Sequence, residues 1–236
     1  MKLIGLISPN LSDDTLVDVY KILPGGIRIE GRALNVGNYL DTEFHKAEQA
    51  LSGLVRELVQ HQLDFLMITG ELFLSYKGPG SDRLVLAAIR DITPIPASTV
   101  LTAVVRACHA LGMRRVVMAS PFPEDQDKRL VRFLAHDQIE VVAHRCLGYQ
   151  NSKAIWALSP ETGYDLASSL MREFSDVDGI YMPCNKWRTI SVIDRIEKEF
   201  GKPVVTNTQA WVWEALRGMG WKNSIQGYGR LLKDKV

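Results

Sequence analysis

Three cysteines, Cys108, Cys146 and Cys184, are all the chain carries, an odd number with no metal-ligand spacing among them. A disulfide framework and a zinc knuckle are excluded on that count, and reduced thiols in a cytoplasm fit best. No apolar run approaches the ~20 residues of a membrane span. The opening Met1-Lys2-Leu3-Ile4-Gly5-Leu6-Ile7 is too short and polar-bounded for a signal peptide, and reads as a first strand. Charge of one sign is also lacking: 28 basic against 27 acidic residues leave a net +1, which offers no field to gather nucleic acid or an anionic membrane. Neither Gly-x-Gly-x-x-Gly nor a Gly-Lys-Ser/Thr phosphate loop is present, and no serine sits in Gly-x-Ser-x-Gly. The five histidines, His45, His61, His109, His136 and His144, are scattered, so structural roles outweigh a metal site. Trp211 and Trp213 share one helical pattern, with one expected in the core and the other on a pocket wall rather than stacked on a cofactor.

What is present is an ordinary apolar fraction, 46% of 236 residues, ample for a real core. Strand and helix patterns alternate without a low-complexity linker. After the first strand, Ser12 and Asp13 are placed to cap a helix to Leu23, and Ile27 to Ala33 alternates as a strand. Residues 35–40 read as a loop able to close over a ligand. Helical spacing runs from Thr42 to His61, Phe65 to Thr69 is a buried strand, and residues 70–81 read as loop. Pro160 is suited to begin a helix, and the tail Gly227-Tyr-Gly-Arg230 is expected to fold back on the first half.

The chain is organised around Asp178-Gly-Ile-Tyr-Met-Pro-Cys-Asn-Lys-Trp187. A short apolar strand broken by Pro183 delivers Cys184 at its carboxyl end, ahead of a helical pattern. In parallel α/β sheets this is where side chains and free amides converge on ligands. An earlier stretch has the same outline: Asp64-Phe-Leu-Met-Ile-Thr-Gly70-Glu-Leu-Phe73, so that Gly70 answers Cys184. Ser8-Pro9-Asn10 likewise answers Ser120-Pro121-Phe122, and Pro96-Ala-Ser-Thr99 answers Pro203-Val-Val-Thr206. Offsets of 112, 114 and 107 residues point to a duplicated α/β unit with the site between its halves. The expected fold is therefore α/β, two pseudosymmetric lobes, each a short, mainly parallel sheet flanked by helices. Residues 1–96 with 209–236 form the first lobe and residues 97–208 the second.

The duplicated outline, the lone Cys184 and the tail Gly227-Tyr-Gly-Arg-Leu231 resemble the aspartate/glutamate racemase superfamily, in its maleate isomerase and arylmalonate decarboxylase branch. The resemblance covers Met1 to about Leu231. It implies a cofactor-free site at the lobe interface and a small carboxylate as substrate. Racemases and isomerases of this kind place a cysteine at both strand ends. Here Gly70 takes the first place, as in the arylmalonate decarboxylases, and Tyr76-Lys77-Gly78 also matches that pattern. The hydroxyl-bearing residues with which those decarboxylases surround the substrate carboxylate correspond to Glu71, Leu72 and Phe122, so the hydroxyl part of the oxyanion site is missing. Backbone NH groups near Gly70, Glu71 and Asn185 are the remaining candidate donors.

The expected function is decarboxylation of a substituted malonate or similar small acid through an enediolate protonated by Cys184, which an ordinary thiol pKa of ~8.5 keeps protonated at neutral pH. The alternatives are an isomerase or racemase with Glu71 as second acid/base, and a non-catalytic acid-binding homologue. Cys184 and Glu71 are the candidate catalytic residues. Pro9, Asn10, Gly70, Leu72, Phe122, Asn185 and Lys186 are candidate substrate contacts. Glu71 has two further readings, a cross-lobe pair with Lys186 or a solvated loop residue. Cys184 is expected to be the most readily alkylated thiol. No metal or cofactor, nucleic acid or membrane is expected to take part.

Overall fold

The computed structural model describes residues 1–234, apart from the side chains of residues 13–15, so the expected cap by Asp13 lies outside the described residues. Each short apolar run becomes a parallel strand. The first sheet contains β1 (Lys2–Ser8), β2 (Ile27–Ala33), β3 (Phe65–Ile68) and β4 (Ala97–Thr99), in the order β2-β1-β3-β4. Its helices are α1 (Asp13–Ile22), α2 (Asp41–Leu58, continued by a 3-10 turn at Val59–His61), α3 (Glu71–Ser75) and α4 (Ser81–Arg90). Next come α5 (Val100–Ala110), β5 (Arg115–Ser120), α6 (Glu124–His136), β6 (Glu140–Cys146), α7 (Ser152–Trp156), α8 (Pro160–Glu173) and β7 (Gly179–Met182). The chain closes with a 3-10 turn at Thr189–Val192, α9 (Ile193–Phe200), β8 (Val204–Thr206), α10 (Asn207–Gly218) and α11 (Gly229–Asp234).

The second sheet has the order β6-β5-β7-β8, the first sheet's order repeated with β5 in the place of β1 and β7 in that of β3. The duplication read from the sequence is thus a duplication of topology. Every residue of β3 and of β7 is buried, as expected for central parallel strands covered on both faces. The aspartates just before β3 and β7 are tied down in both lobes by backbone NH groups: Asp64 accepts from the Leu3 NH at 2.8 Å, and Asp178 accepts from the Arg114 and Arg115 NH groups at 2.8 and 2.7 Å.

The corresponding helices α5 and α10 pack against each other. Each follows its sheet's last strand and is capped by a threonine, Thr99 accepting from the Thr102 NH and Thr206 from the Gln209 NH. Ser98 on β4 donates to Glu214 on α10 at 3.1 Å. Further bridges between the halves are Arg129 to Asp41 at 2.5 Å and Asn10 Nδ2 to Ser152 Oγ at 3.4 Å. Among the described residues no helix is long and apolar enough to cross a membrane.

Three expectations change. Residues 70–81 are not all loop, because the apolar run Leu72-Phe73-Leu74 buries itself as the one-turn helix α3. β4 belongs to the first sheet, so the chain passes from one sheet to the other through α5, a few residues beyond position 96. The tail turns to α9, β8 and α10 rather than to the first sheet. There Asp194 and Glu197 accept from the Gly229 and Arg230 NH groups at 2.7 and 2.9 Å, while Leu231 and Leu232 are fully buried. Gly229 has φ +83°, and a Cβ there would meet Gln209 Nε2 at 2.9 Å, which explains the tail's second glycine.

Candidate active site

The carboxyl ends of β1 and β3 in one lobe face those of β5 and β7 in the other. Between them lies a cavity lined among others by Pro9, Asn10, Gly70, Glu71, Leu72, Phe122, Cys184, Asn185 and Lys186. All nine candidate residues from the sequence are therefore gathered around one cavity, drawn from segments up to 177 positions apart. Strand order explains this: β1 and β3 are neighbours, as are β5 and β7, so the loops after them project side by side, as loops do at the carboxyl edge of a parallel sheet.

Cys184 follows β7 with φ +85°, a left-handed conformation that a side chain with a Cβ adopts at a cost of about 1–3 kcal/mol. The turn aims the thiol into the cavity and sets it before the backbone NH groups of Lys186 and Trp187, which favour the thiolate. Burial outweighs them, and with the nearby Glu71 carboxylate it pushes the thiol well above its ordinary range. At neutral pH the site therefore holds an SH group, a proton donor rather than a standing nucleophile. Only 6% of Cys184 is exposed. Cys108 is fully buried, its thiol pushed up to about 12 by burial. Cys146 is the most open of the three and donates to Glu124 Oε2 at 3.3 Å. Accessibility thus favours Cys146 over Cys184 as the first thiol to react with a bulk reagent, contrary to the reading from strand position alone.

Glu71 opens α3 directly after Gly70, and only 4% of it is exposed. The solvated-loop reading fails because the apolar residues that follow draw the turn into the core. Desolvation raises its carboxyl from 4.5 to about 7, opposed by its own NH, the Cys184 NH and the Asn207 side chain. No ion pair joins Glu71 to Lys186 among the described residues. Lys186 Nζ donates instead to Ser12 Oγ at 2.9 Å, and Glu71 faces inward. Both Trp211 and Trp213 are core residues, 1% and 0% exposed, and neither lines the cavity.

Sequence reasoning missed Ser8, Val36, Tyr39, Phe44, Phe73 and Ser152, which also line the cavity. Val36 and Tyr39 come from the loop before α2, held over the site by the Leu34 NH on the Ser8 carbonyl at 2.8 Å and the Val36 NH on the Pro9 carbonyl at 3.0 Å. The Tyr39 ring meets Phe122 edge to face at 5.5 Å between centroids. Burial raises the Tyr39 phenol far above its usual range, and charges on Cys184 and Glu71 raise it further, so this hydroxyl is a standing donor beside both. The cavity thus carries a phenol hydroxyl from an element outside the two strand-end loops. The available signal was an aromatic with a polar tip in a loop already read as a cover.

An inter-lobe cavity with one thiol at a parallel strand end, a glycine at the equivalent end and a buried carboxyl in the same lining places the chain among two-lobed α/β proteins with a single-thiol site between the lobes. The family pattern of arylmalonate decarboxylase matches residues 4–232, and the chain belongs to that family. It is 27% identical over 232 residues to arylmalonate decarboxylase of Bordetella bronchiseptica, covering 98% of this chain and 96% of that protein. A liganded arylmalonate decarboxylase carrying a glycine-to-cysteine and a cysteine-to-serine change superposes with a TM-score of 0.91 at 26% identity over the whole of both chains. The fold is shared as closely with the Nocardia farcinica maleate cis-trans isomerase, TM-score 0.93 at 18% identity, covering 100% of this chain and 99% of that one.

Proposed function

We propose that this protein decarboxylates a substituted malonate or a similar small carboxylic acid, with Cys184 as the proton donor. The observation that carries the reading is the pairing of one protonated thiol with a side-chain-free Gly70 at the equivalent strand end. In the scheme, the bond between Cα and one carboxyl carbon breaks, CO2 leaves, and the electron pair remains as an enediolate. Cys184 then transfers its proton to Cα. The resulting thiolate takes up a proton from solvent, directly or through the Glu71 carboxyl, which solvent then reprotonates, and the site is restored.

The cavity's two chemistries suit these steps. Val36, Phe44, Leu72, Phe73 and Phe122 form an apolar wall, against which a departing carboxylate is poorly solvated and neutral CO2 is favoured. Asn10, Tyr39, Ser152, Asn185 and Lys186 supply polar groups for the carboxylate that stays. Charge developing on that carboxylate strengthens its hydrogen bonds as the reaction proceeds, which lowers the barrier.

A second reading, an isomerase or racemase with Glu71 as second acid/base, is favoured by a carboxyl raised to about 7 in the same cavity. Against it, Gly70, at the strand end equivalent to that of Cys184, carries no side chain that could act as the second base. A two-base mechanism needs a second group on the opposite face. Methyl-substituted aryl malonates offered to wild type, Cys184→Ala and Glu71→Gln separate the two. Release of CO2 with one product hand, lost in Cys184→Ala, supports decarboxylation. No CO2 from any malonate, with deuterium uptake from D2O into an unchanged acid that needs both Glu71 and Cys184, overturns it.

A further inference from the structure

Two aromatic rings meet at the cavity, Tyr39 from the first lobe and Phe122 from the second, and both are tied to one helix, α6. On the side of Phe122 the tie is buried. The Phe122 NH donates to Ser120 Oγ at 3.1 Å, and Ser120 Oγ donates in turn to Asp127 Oδ1 on α6 at 2.5 Å. Ser120 and Asp127 are fully buried and Phe122 is 2% exposed, so the turn after β5 is fixed against that helix.

On the side of Tyr39 the backbone is bonded to itself. The Gly37 and Asn38 NH groups donate to Glu43 Oε2 at 2.5 and 2.8 Å, and the Glu43 and Phe44 NH groups donate to the Leu40 carbonyl at 3.0 Å. A tie at any point of this short unit therefore holds Tyr39. One tie stays within the lobe, the Val36 NH on the Pro9 carbonyl at 3.0 Å. Another crosses to the second lobe: Asp41, two residues after Tyr39, accepts from Arg129 Nη1 at 2.5 Å and from Nη2 at 3.2 Å. Two parallel bonds between a guanidinium and a carboxylate fix direction as well as distance. Arg129 stands two residues beyond Asp127 on α6, so the helix that fixes Phe122 also fixes the loop of Tyr39.

We propose that Arg129 is a positioning residue of the site: through Asp41 it sets Tyr39 against Phe122, and the spacing of these rings sets the width open to the substituent of the acid. Arg129 does not line the cavity itself. The Asp41 side chain is 58% exposed, and a bridge with a partner so open to water adds little to the stability of the fold; its worth lies in the place it gives the loop. The consequence for the substituent rests on the reading in which an acid is decarboxylated in this cavity, whereas the placement of Tyr39 does not.

Alkylation of Cys184 in the substrate-free protein tests the placement, because Tyr39 and Cys184 line the same cavity. Iodoacetamide labelling is followed by mass spectrometry in wild type, Arg129→Met, Asp41→Asn, the double variant and Tyr39→Ala. Each single change at the bridge is expected to speed Cys184 labelling roughly two- to five-fold, the double variant no further, and Tyr39→Ala at least as much. Cys146, bonded to Glu124 at the start of α6, should keep its rate. An unmoved Cys184 rate, a Cys184 silent in every variant, additive effects in the double variant, or a Cys146 rate that rises in step overturns the proposal. CO2 release is measured in parallel as the ratio of kcat/KM for a phenyl- over a methyl-substituted malonate. That ratio should fall by a comparable factor in Arg129→Met, whereas a merely structural role would lower both rates together and leave the ratio in place, which would also overturn the proposal. Faster Cys184 labelling with no CO2 from any malonate sinks the decarboxylase reading and keeps the placement of Tyr39. CO2 release with an unmoved labelling rate sinks only the role of Arg129.

Discussion

Gly70 and Cys184 end equivalent strands of the two lobes and share a left-handed backbone, with φ of +102° and +85°. The geometry of the turn has been kept in both halves, while the thiol stands in one. On the Gly70 side the space a side chain would fill is closed by Pro9, whose Cδ would lie 2.8 Å from a Cβ and whose Cγ would lie closer still.

Gly70→Cys is therefore expected to cost stability, about 1–3 kcal/mol from the backbone and more from the overlap with Pro9. Adding Pro9→Ala should recover much of the loss in thermal melts. In an active protein, the second thiol should also introduce racemised product, read by chiral chromatography, because an enediolate between two thiols accepts a proton from either face. Full retention of product chirality in a folded Gly70→Cys/Pro9→Ala variant would count against the placement of the two positions on opposite faces.

Cys184→Gly should separate stability from function. Glycine adopts the same φ without the Cβ penalty, so this variant is expected to melt at or above the wild-type temperature, with about 1 kcal/mol gained from relieved strain. Its CO2 release should fall by roughly 10²–10⁴, the usual worth of a positioned acid. Retained turnover would remove Cys184 from the mechanism.

Iodoacetamide labelling followed by mass spectrometry should mark Cys146 first and Cys184 more slowly, with Cys108 silent in the folded protein. Exposure sets that order, Cys146 being the most open, Cys184 6% exposed and Cys108 fully buried. A bound aryl malonate is expected to slow Cys184 alone. Equal protection of Cys146 would place the acid elsewhere.

Glu71 gives stability a definite pH dependence. Its folded value of about 7 lies above the ordinary 4.5, so between those values the folded protein keeps a proton that the unfolded chain has released. Stability falls as pH rises through this window and levels off above it. Glu71→Gln removes the effect and should stabilise the protein at pH 8 relative to wild type by on the order of 1–3 kcal/mol, and by little at pH 4.5. Denaturant titrations of both proteins at the two pH values check the sign, and a gain as large at low pH as at high would contradict it.

Tyr39→Phe retains the ring contact with Phe122 and removes the hydroxyl alone. If that hydroxyl donates to the enediolate, kcat should drop by on the order of 10² with a smaller change in KM. A raised KM with unchanged kcat would instead make Tyr39 a ground-state contact.

The sequence by itself determined the duplicated parallel α/β plan and the lone thiol at a strand end. Both are local signals: apolar runs of strand length, a proline and a small residue after them, and recurrence at a near-constant offset. Those signals, together with the resemblance to the arylmalonate decarboxylases, led to nine residues that the structure gathers around one cavity. Only the tertiary structure decided how those residues are electrostatically set. Glu71 reads in sequence as a polar residue after a glycine, and it becomes a buried acid because Leu72, Phe73 and Leu74 draw α3 inward. Lys186, two residues after Cys184, turns to Ser12 instead of Glu71. A phenol hydroxyl reaches the cavity wall from Tyr39, 31 positions before Gly70. Burial and approach between segments distant in sequence set a pKa or complete a donor set, and a linear pattern carries no record of either, because desolvation belongs to the assembled cavity and not to any residue in it.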